Sequence, residues 1–525
     1  MQLRQCILFA AALLFLECVA AATLQKRDIP LPPTSAGGAD KTLGWTDRLR
    51  RIFLRPSGAA PRGLPAGERT VAGAGQQAFS HNLSRYVNDV VLRFNITGRD
   101  EAQAMAEAVN MLYLDVWSAT KDHVDIRLQR GTVPLLLDLL PASMHDSHTA
   151  LMHNIAREAL ETYPGGMQSP VPHPSVTKMF EPIGKEKAEA LFFQDYRPLK
   201  VAVAWMKLLE SLFPAHVELI TIGKSFEQRD IHALKVGTAH PDGKQKKAVI
   251  VTGAAHAREW ITVSTVSYLA YSMITGFSRG DRGIDNMVNQ FDWIFLPTLN
   301  VDGYAYTWEQ DRLWRKNRQP TSLAFCKGID LDRAYNFHFD DSPQSSSNPC
   351  SEMFPGGFPF QAKEAKVFAH WAEKLLKNGT KIVGLLDLHS YSQQILYPYS
   401  YSCDVPPPDL ENLEELGMGL AKAIRLRSGE HYEVTSACSG TGFAGLIPGT
   451  TGSGSMLDYF YGKLHVPFTY QIKLRDTGSH GFLLPKENIV PTGEEMFSML
   501  KYFSQFLLDD GSPTLAKAAK AADEL

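Results

Sequence analysis

The sequence predicts a helix-covered α/β sheet preceded by a small α+β open sandwich, and three observations carry that prediction. Past about residue 190, short apolar runs alternate with longer stretches of helical period, the pattern of strands buried under helices. A tighter set of strand and helix signals fills residues 86–142. Between them, residues 143–189 hold several prolines and little period, and read as a connector. A chain of 525 residues also exceeds one ordinary core, so two folded units plus tails are expected.

Taken in order, residues 1–22 carry Arg4, an apolar run from Cys6 to Leu16 and small residues at Ala20, Ala21 and Ala22, the layout of a cleaved secretory signal. The run is shorter than the ~20 residues that span a bilayer, so no membrane anchor is expected. Residues 23–85 are rich in Gly, Ala and Pro and read as a disordered or processing segment, with Lys26-Arg27 and Arg50-Arg51 as candidate protease sites. In the first unit Val90 to Phe94 reads as a strand, Asp100 as the cap of a helix presenting Met105, Val109 and Leu112, and Leu114 to Leu128 as further strand. Thr132 and Pro134 open a short helix to Leu140. In the second unit, residues 190–508, strands are expected at Lys247–Thr252, Trp293–Pro297, Ile382–Leu388 and Phe468–Leu474, with helices at Trp260–Thr275 and Glu364–Leu376. Residues 509–525 form a flexible tail; its last four, Ala522 to Leu525, lack the Lys or His that opens endoplasmic-reticulum retrieval signals.

Removing the signal leaves Cys326, Cys350, Cys403 and Cys438 in a chain bound for an oxidising compartment. Pairing nearest neighbours joins Cys326 with Cys350 and Cys403 with Cys438, one of three connectivities that four cysteines allow. Sequons at Asn82, Asn95 and Asn378 suit the secretory route. A net charge of -3 gives no broad electrostatic reason for nucleic acid or an anionic membrane as partner.

Chemistry gathers at strand ends. Val249 to Val251 runs into Gly253-Ala-Ala-His256-Ala-Arg-Glu259-Trp260, so His256 and Glu259 leave a strand together just before a helix. Alone that spacing is a weak metal signal. A second strand ends at His389-Ser390-Tyr391, and two histidines with a glutamate make a three-ligand set suited to zinc with one open position.

Four ordered blocks then resemble the A/B-type zinc metallocarboxypeptidases: Gly253 to Thr262, Leu313-Trp-Arg-Lys-Asn-Arg318, Asp387-Leu-His-Ser-Tyr-Ser392, and Leu474-Arg-Asp-Thr-Gly478 with Gly481 to Pro485. The resemblance implies a mixed central sheet covered by helices on both faces, an inhibitory pro-domain at residues 86–142, and one zinc ion held by His256, Glu259 and His389. It places Arg258, Arg315, Asp332, Arg333, Ser390 and Tyr391 around substrate, with Arg315 on the scissile carbonyl and Arg333 on the terminal carboxylate, as suits guanidinium chemistry. It also supports the Cys326–Cys350 pair.

Three departures decide activity. The family's general base is a glutamate just before the Leu-Arg-Asp-Thr-Gly block, where this chain has Lys473; a lysine is ordinarily protonated at neutral pH and cannot take a proton. Loss of a positioned base costs about 10²- to 10⁴-fold. The segment Gly445 to Gly452 lacks the family's substrate-covering tyrosine. Asp332 replaces the family's asparagine, and its charge predicts a pair with Arg333 that repels a terminal carboxylate. Leu457 favours an apolar pocket.

The expected protein is a secreted, catalytically inactive zinc carboxypeptidase-like chain, resembling the inactive fungal branch linked with cell-wall organisation. Its expected partner is a C-terminal peptide or a cell-wall protein. Its expected place is extracellular or in the cell wall, with the vacuole second and the endoplasmic reticulum third. Two alternatives stay open: a peptidase releasing C-terminal hydrophobic residues through a neutral Lys473, and a metal-free structural protein.

Overall fold

The computed structural model describes residues 83–164, 192–239, 243, 245–339, 348–440 and 452–509. The signal, the processing segment through residue 82 with its dibasic pairs and Asn82, the connector from residue 165 to residue 189, the tyrosine-free segment through residue 451 and the tail from residue 510 lie outside the described residues.

The first unit runs β1 (Asp89–Asn95), α1 (Arg99–Leu112), β2 (Asp115–Ala119), β3 (His123–Gln129), α2 (Val133–Leu139), β4 (His148–Met152) and α3 (Ile155–Glu161). Its strands form an antiparallel sheet in the order β2-β3-β1-β4. Alternate residues Val90, Leu92 and Phe94 of β1 face Ala102, Met105 and Val109 of α1 and Leu136 of α2 in one core. Asp100 does not cap α1: Gly98 holds that position, and Asp100 sits in the first turn, where a carboxylate favours the positive helix end. Glu101 instead reaches back to the Thr97 N–H at 2.8 Å.

Part of the expected connector is structured. β4 pairs along β1, with Leu92 opposite Ala150. It is an edge strand with Thr149 and Ala150 exposed, so it carries little of the apolar alternation by which a strand is read from sequence.

The second unit runs α4 (Leu199–Leu212), β5 (Val217–Lys224), β6 (Asp230–Val236), β7 (Lys247–Thr252), α5 (Trp260–Ser278), α6 (Arg282–Gln290), β8 (Phe291–Leu296), α7 (Val301–Glu309), α8 (Lys363–Lys377), β9 (Ile382–Ser390), β10 (Gln394–Tyr397), α9 (Leu410–Ser428), β11 (Glu433–Ser436), β12 (Phe468–Leu474) and α10 (Ile489–Asp509). The strands form one mixed sheet, β11-β10-β12-β9-β7-β8-β6-β5. On one face Ala248 and Ile250 of β7 pack with Ala365, Phe368 and Ala372 of α8. On the other, Gly384 of β9 admits Phe503 of α10; a Cβ there would lie 2.7 Å from the ring. Both faces being covered, every residue of β9 is buried, which is why the sequence shows an unbroken apolar run rather than alternation.

β7 and β9 are parallel neighbours, with Thr252 opposite Asp387. Their carboxyl ends therefore deliver the Gly253–Glu259 turn and His389 to one place, the crevice where open α/β sheets bind ligands. Both nearest-neighbour disulfides form, Cys326–Cys350 and Cys403–Cys438. Among the described residues no helix is long and apolar enough to cross a membrane. Asn95 and Asn378, two of the sequon asparagines, are exposed at the end of β1 and just past α8.

Candidate metal centre

His256 and Glu259 sit in the turn between β7 and α5, and His389 near the end of β9. The three side chains converge. His256 Nδ1 lies 2.8 Å from Glu259 Oε1, His389 Nδ1 lies 3.3 Å from Glu259 Oε2, and the two Nδ1 atoms are 3.1 Å apart.

Each ring is held from behind by a carboxylate: His256 Nε2 is 3.0 Å from Asp330 Oδ1 and His389 Nε2 is 2.8 Å from Asp387 Oδ2. A carboxylate accepts only, so each ring keeps a proton on Nε2, while the Nδ1 atoms, which face the Glu259 carboxylate, give up theirs and offer lone pairs when a cation binds. Two inward imidazole lone pairs with a buried carboxylate are the donor set of zinc. The two Nδ1 atoms, 3.1 Å apart, cannot both keep a proton without repelling, and a cation between them removes that repulsion. The residues fit the metal.

Burial raises the Glu259 carboxyl, but the His256 and His389 rings outweigh it and hold the group below the usual carboxylate range. Burial likewise opposes ionisation of Asp330, and Arg315 and His256 pull it well below its ordinary value. Arg315 Nη2 donates to Asp330 Oδ2 at 3.0 Å, and Arg333 Nε lies 3.7 Å from the same oxygen. The Asp332 charge acts on Arg333, while Asp332 Oδ2 accepts from Gln471 Nε2 at 2.8 Å and Asp332 Oδ1 has no hydrogen-bond partner among the described residues. The reason for the Gln471 bond is β12, which carries Gln471 and Lys473 on one face directly beside Asp387 and His389 of β9.

Lys473 therefore stands next to His389, with its Nζ donating to the Gly440 carbonyl at 2.9 Å. Burial pushes its ammonium down to about 8, against the pull of Glu259 and Asp332. In the bond to Gly440 its Nζ is the donor. Leu457 is buried with Leu396 and Ala437 in a small apolar cluster.

The first unit covers this centre. Asp115 of β2 accepts from Arg258 Nη1 through both oxygens, at 2.9 and 3.0 Å. Trp117 packs on Phe482 at 5.0 Å, and Ser118 Oγ lies 3.2 Å from Ser392 Oγ. Asp125 accepts from the Tyr391 hydroxyl at 2.7 Å and from Arg93, whose Nη2 also donates to the Thr477 carbonyl at 2.8 Å. A cavity of about 380 Å³ remains between the units, lined by Asp115, Trp117, Arg315, Asp332, His389 and Lys473 among others. Arg315, Asp332, Arg333, Ser390 and Tyr391 line it, whereas Arg258 is buried outside its lining, and Arg258 and Tyr391 are both engaged by the cover. Ser390 donates its backbone N–H to Glu259 Oε2 at 2.9 Å.

Sequence reading passed over Asp330, Asp387, Gln471, Asp115 and Asp125. For Asp387 a signal existed: two residues before His389 on one strand, it must share that histidine's face. Gln471 bears the same relation to Lys473. Asp115 and Asp125 act across the two units, and nothing local marks them.

Residues 202–499 match the family model described as zinc carboxypeptidase. Among curated proteins, the chain is 50% identical over 456 residues to "Inactive metallocarboxypeptidase ecm14" of Sclerotinia sclerotiorum, covering 83% of this chain and 76% of that protein. It is 49% identical over 487 residues to the protein of the same description from Uncinocarpus reesii, covering 90% and 82%. Among solved structures, thrombin activatable fibrinolysis inhibitor superposes with a TM-score of 0.65 at 25% identity, covering 80% of this chain and 99% of that one. The carboxypeptidase A of Helicoverpa armigera gives the same score and identity, covering 80% and 97%. The chain belongs to the zinc carboxypeptidase family, on the branch of inactive members.

Proposed function

We propose that this chain is a secreted pseudoenzyme that holds one zinc ion through His256, Glu259 and His389 and works by binding, in the cell-wall setting its resemblance implies. The observation that carries the reading is the pairing of an intact donor set with Lys473. Everything needed to hold a metal converges, with both rings braced by buried carboxylates, while the neighbouring position on β12 presents an ammonium. Bound zinc would polarise a carbonyl or acidify a water; this chain offers no group at Lys473 to accept the proton. Two disulfides and the exposed Asn95 and Asn378 sequons support passage through the secretory pathway.

Residues 86–142 are proposed to act as a retained cover. The buried Arg258–Asp115 pair and the Tyr391–Asp125 bond hold it on the centre. The ligand that suits the remaining cavity is a short peptide end, met by Arg315 and Arg333, with Asp332 weakening capture of a free carboxylate.

Metal analysis of the purified full chain tests the reading. Zinc should co-purify with the wild type and be lost in His256→Ala/His389→Ala while circular dichroism stays unchanged. A wild type that takes up no zinc at micromolar concentration refutes it.

A further inference from the structure

We propose that Asp332 is a fourth protein ligand to the metal, filling the coordination position that His256, Glu259 and His389 leave open. The inference rests on the zinc-holding reading above and deepens it. Four lines of geometry and chemistry carry it.

Ligand atoms of His256, Asp332 and His389 all lie within 4.8 Å of one another. Four-coordinate zinc with bonds near 2.0 Å sets its ligands about 3.3 Å apart, so a small side-chain rotation completes the shell. The carboxylate is also poised for that role, because Oδ2 is anchored by Gln471 at 2.8 Å while Oδ1 is buried with no hydrogen-bond partner among the described residues. A buried carboxylate oxygen without a partner is costly, and a cation satisfies it.

The backbone fixes Asp332 to the same frame as the histidines. Its N–H bonds Asp330 Oδ1 at 3.1 Å, the oxygen that also braces His256. Arg315 Nη2 donates to Asp330 Oδ2 and Arg333 Nε lies 3.7 Å from it, so that carboxylate takes up part of their charge.

Charge closes the argument. Two neutral imidazoles with the carboxylates of Glu259 and Asp332 neutralise a divalent ion, whereas three ligands leave a net positive charge in a buried place. A shell complete in protein ligands resembles structural zinc sites and has no position for water. Lys473 would then be one of two independent blocks, and restoring a glutamate there would not by itself restore hydrolysis.

The test uses the full chain stripped of metal and reloaded with cobalt(II), whose visible absorption reports coordination, followed by titration with azide. The wild-type band should be intense and indifferent to azide. Asp332→Asn should weaken the cobalt Kd by at least the ~10- to 100-fold that an outer-shell partner carries, and its band should shift when azide enters. A wild-type band that responds to azide overturns the inference without any variant. So does an Asp332→Asn protein, folded by circular dichroism, with wild-type Kd and spectrum; Asp332→Ala is the second variant should the asparagine protein not fold. A wild type that binds no cobalt overturns the zinc-holding reading along with this one, so the two failures are distinguishable.

Discussion

Lys473 and Gly440 are joined by a 2.9 Å hydrogen bond from the ammonium to the carbonyl, at a β12 position lying directly beside His389 on β9. The lysine thus has a settled place at the rim of the centre. With burial pushing its pKa down to about 8, holding it charged at neutral pH opposes folding. Lys473→Met is expected to keep the metal and to raise the stability of the metal-free protein by ~1 kcal/mol, the loss of one hydrogen bond offsetting part of the relief. Urea titration at pH 7 checks this; a loss of 2 kcal/mol or more, on the same order-of-magnitude scale, contradicts it.

Asp115→Ala should free the cover. Arg258 is wholly buried beneath Trp117 and Phe482, and removing its carboxylate partner leaves an uncompensated buried charge, which costs about 3–5 kcal/mol. The expected outcome is faster hydrogen exchange in β2 and around Phe482, with cleavage between the units by added protease. Unchanged exchange there would mean that apolar packing alone holds the cover.

Asp458 sets a pH dependence. It is fully buried and accepts from the Ser400 and Tyr401 N–H groups and the Ser400 hydroxyl, yet burial raises its pKa from 3.8 to about 6. The folded state then binds a proton that the unfolded chain has released between those values, so this group's contribution falls as pH rises from 3.8 to about 6. Thermal melts of wild type and Asp458→Asn, compared across pH 4 to 6.5, should show the wild type losing up to ~3 kcal/mol relative to the variant. Parallel curves would contradict the assignment.

The Cys326–Cys350 bond closes a loop of sequence separation 24. Lys316 braces the same loop, with Nζ donating to the Pro349 carbonyl at 2.9 Å and the Ser351 carbonyl at 2.8 Å. Replacing both cysteines by serine should cost about 3 kcal/mol by the chain-entropy model, with the metal retained. Calorimetry with zinc analysis checks both parts.

Much of this was legible in the sequence because the relevant signals are local. The strands at Lys247–Thr252 and Phe468–Leu474 fall where their apolar runs predict. His256, Glu259 and His389 could be placed at strand ends from the same runs. β4 was not legible, since an exposed edge strand lacks alternation. The hydrogen bond of Gln471 to Asp332 depends on which strand lies beside β9, and strand order is a long-range fact. The bonds of Asp115 and Asp125 to Arg258 and Tyr391 depend on how two units meet.

The central claim is that this centre holds a metal and lacks a base. Its most direct test is release of a C-terminal hydrophobic residue from a peptide by zinc-loaded protein whose cover is loosened by Asp115→Ala and Trp117→Ala, so that access is not the limit. No chelator-sensitive release above the buffer rate is predicted. Release that is abolished by chelation and restored by zinc would contradict the account.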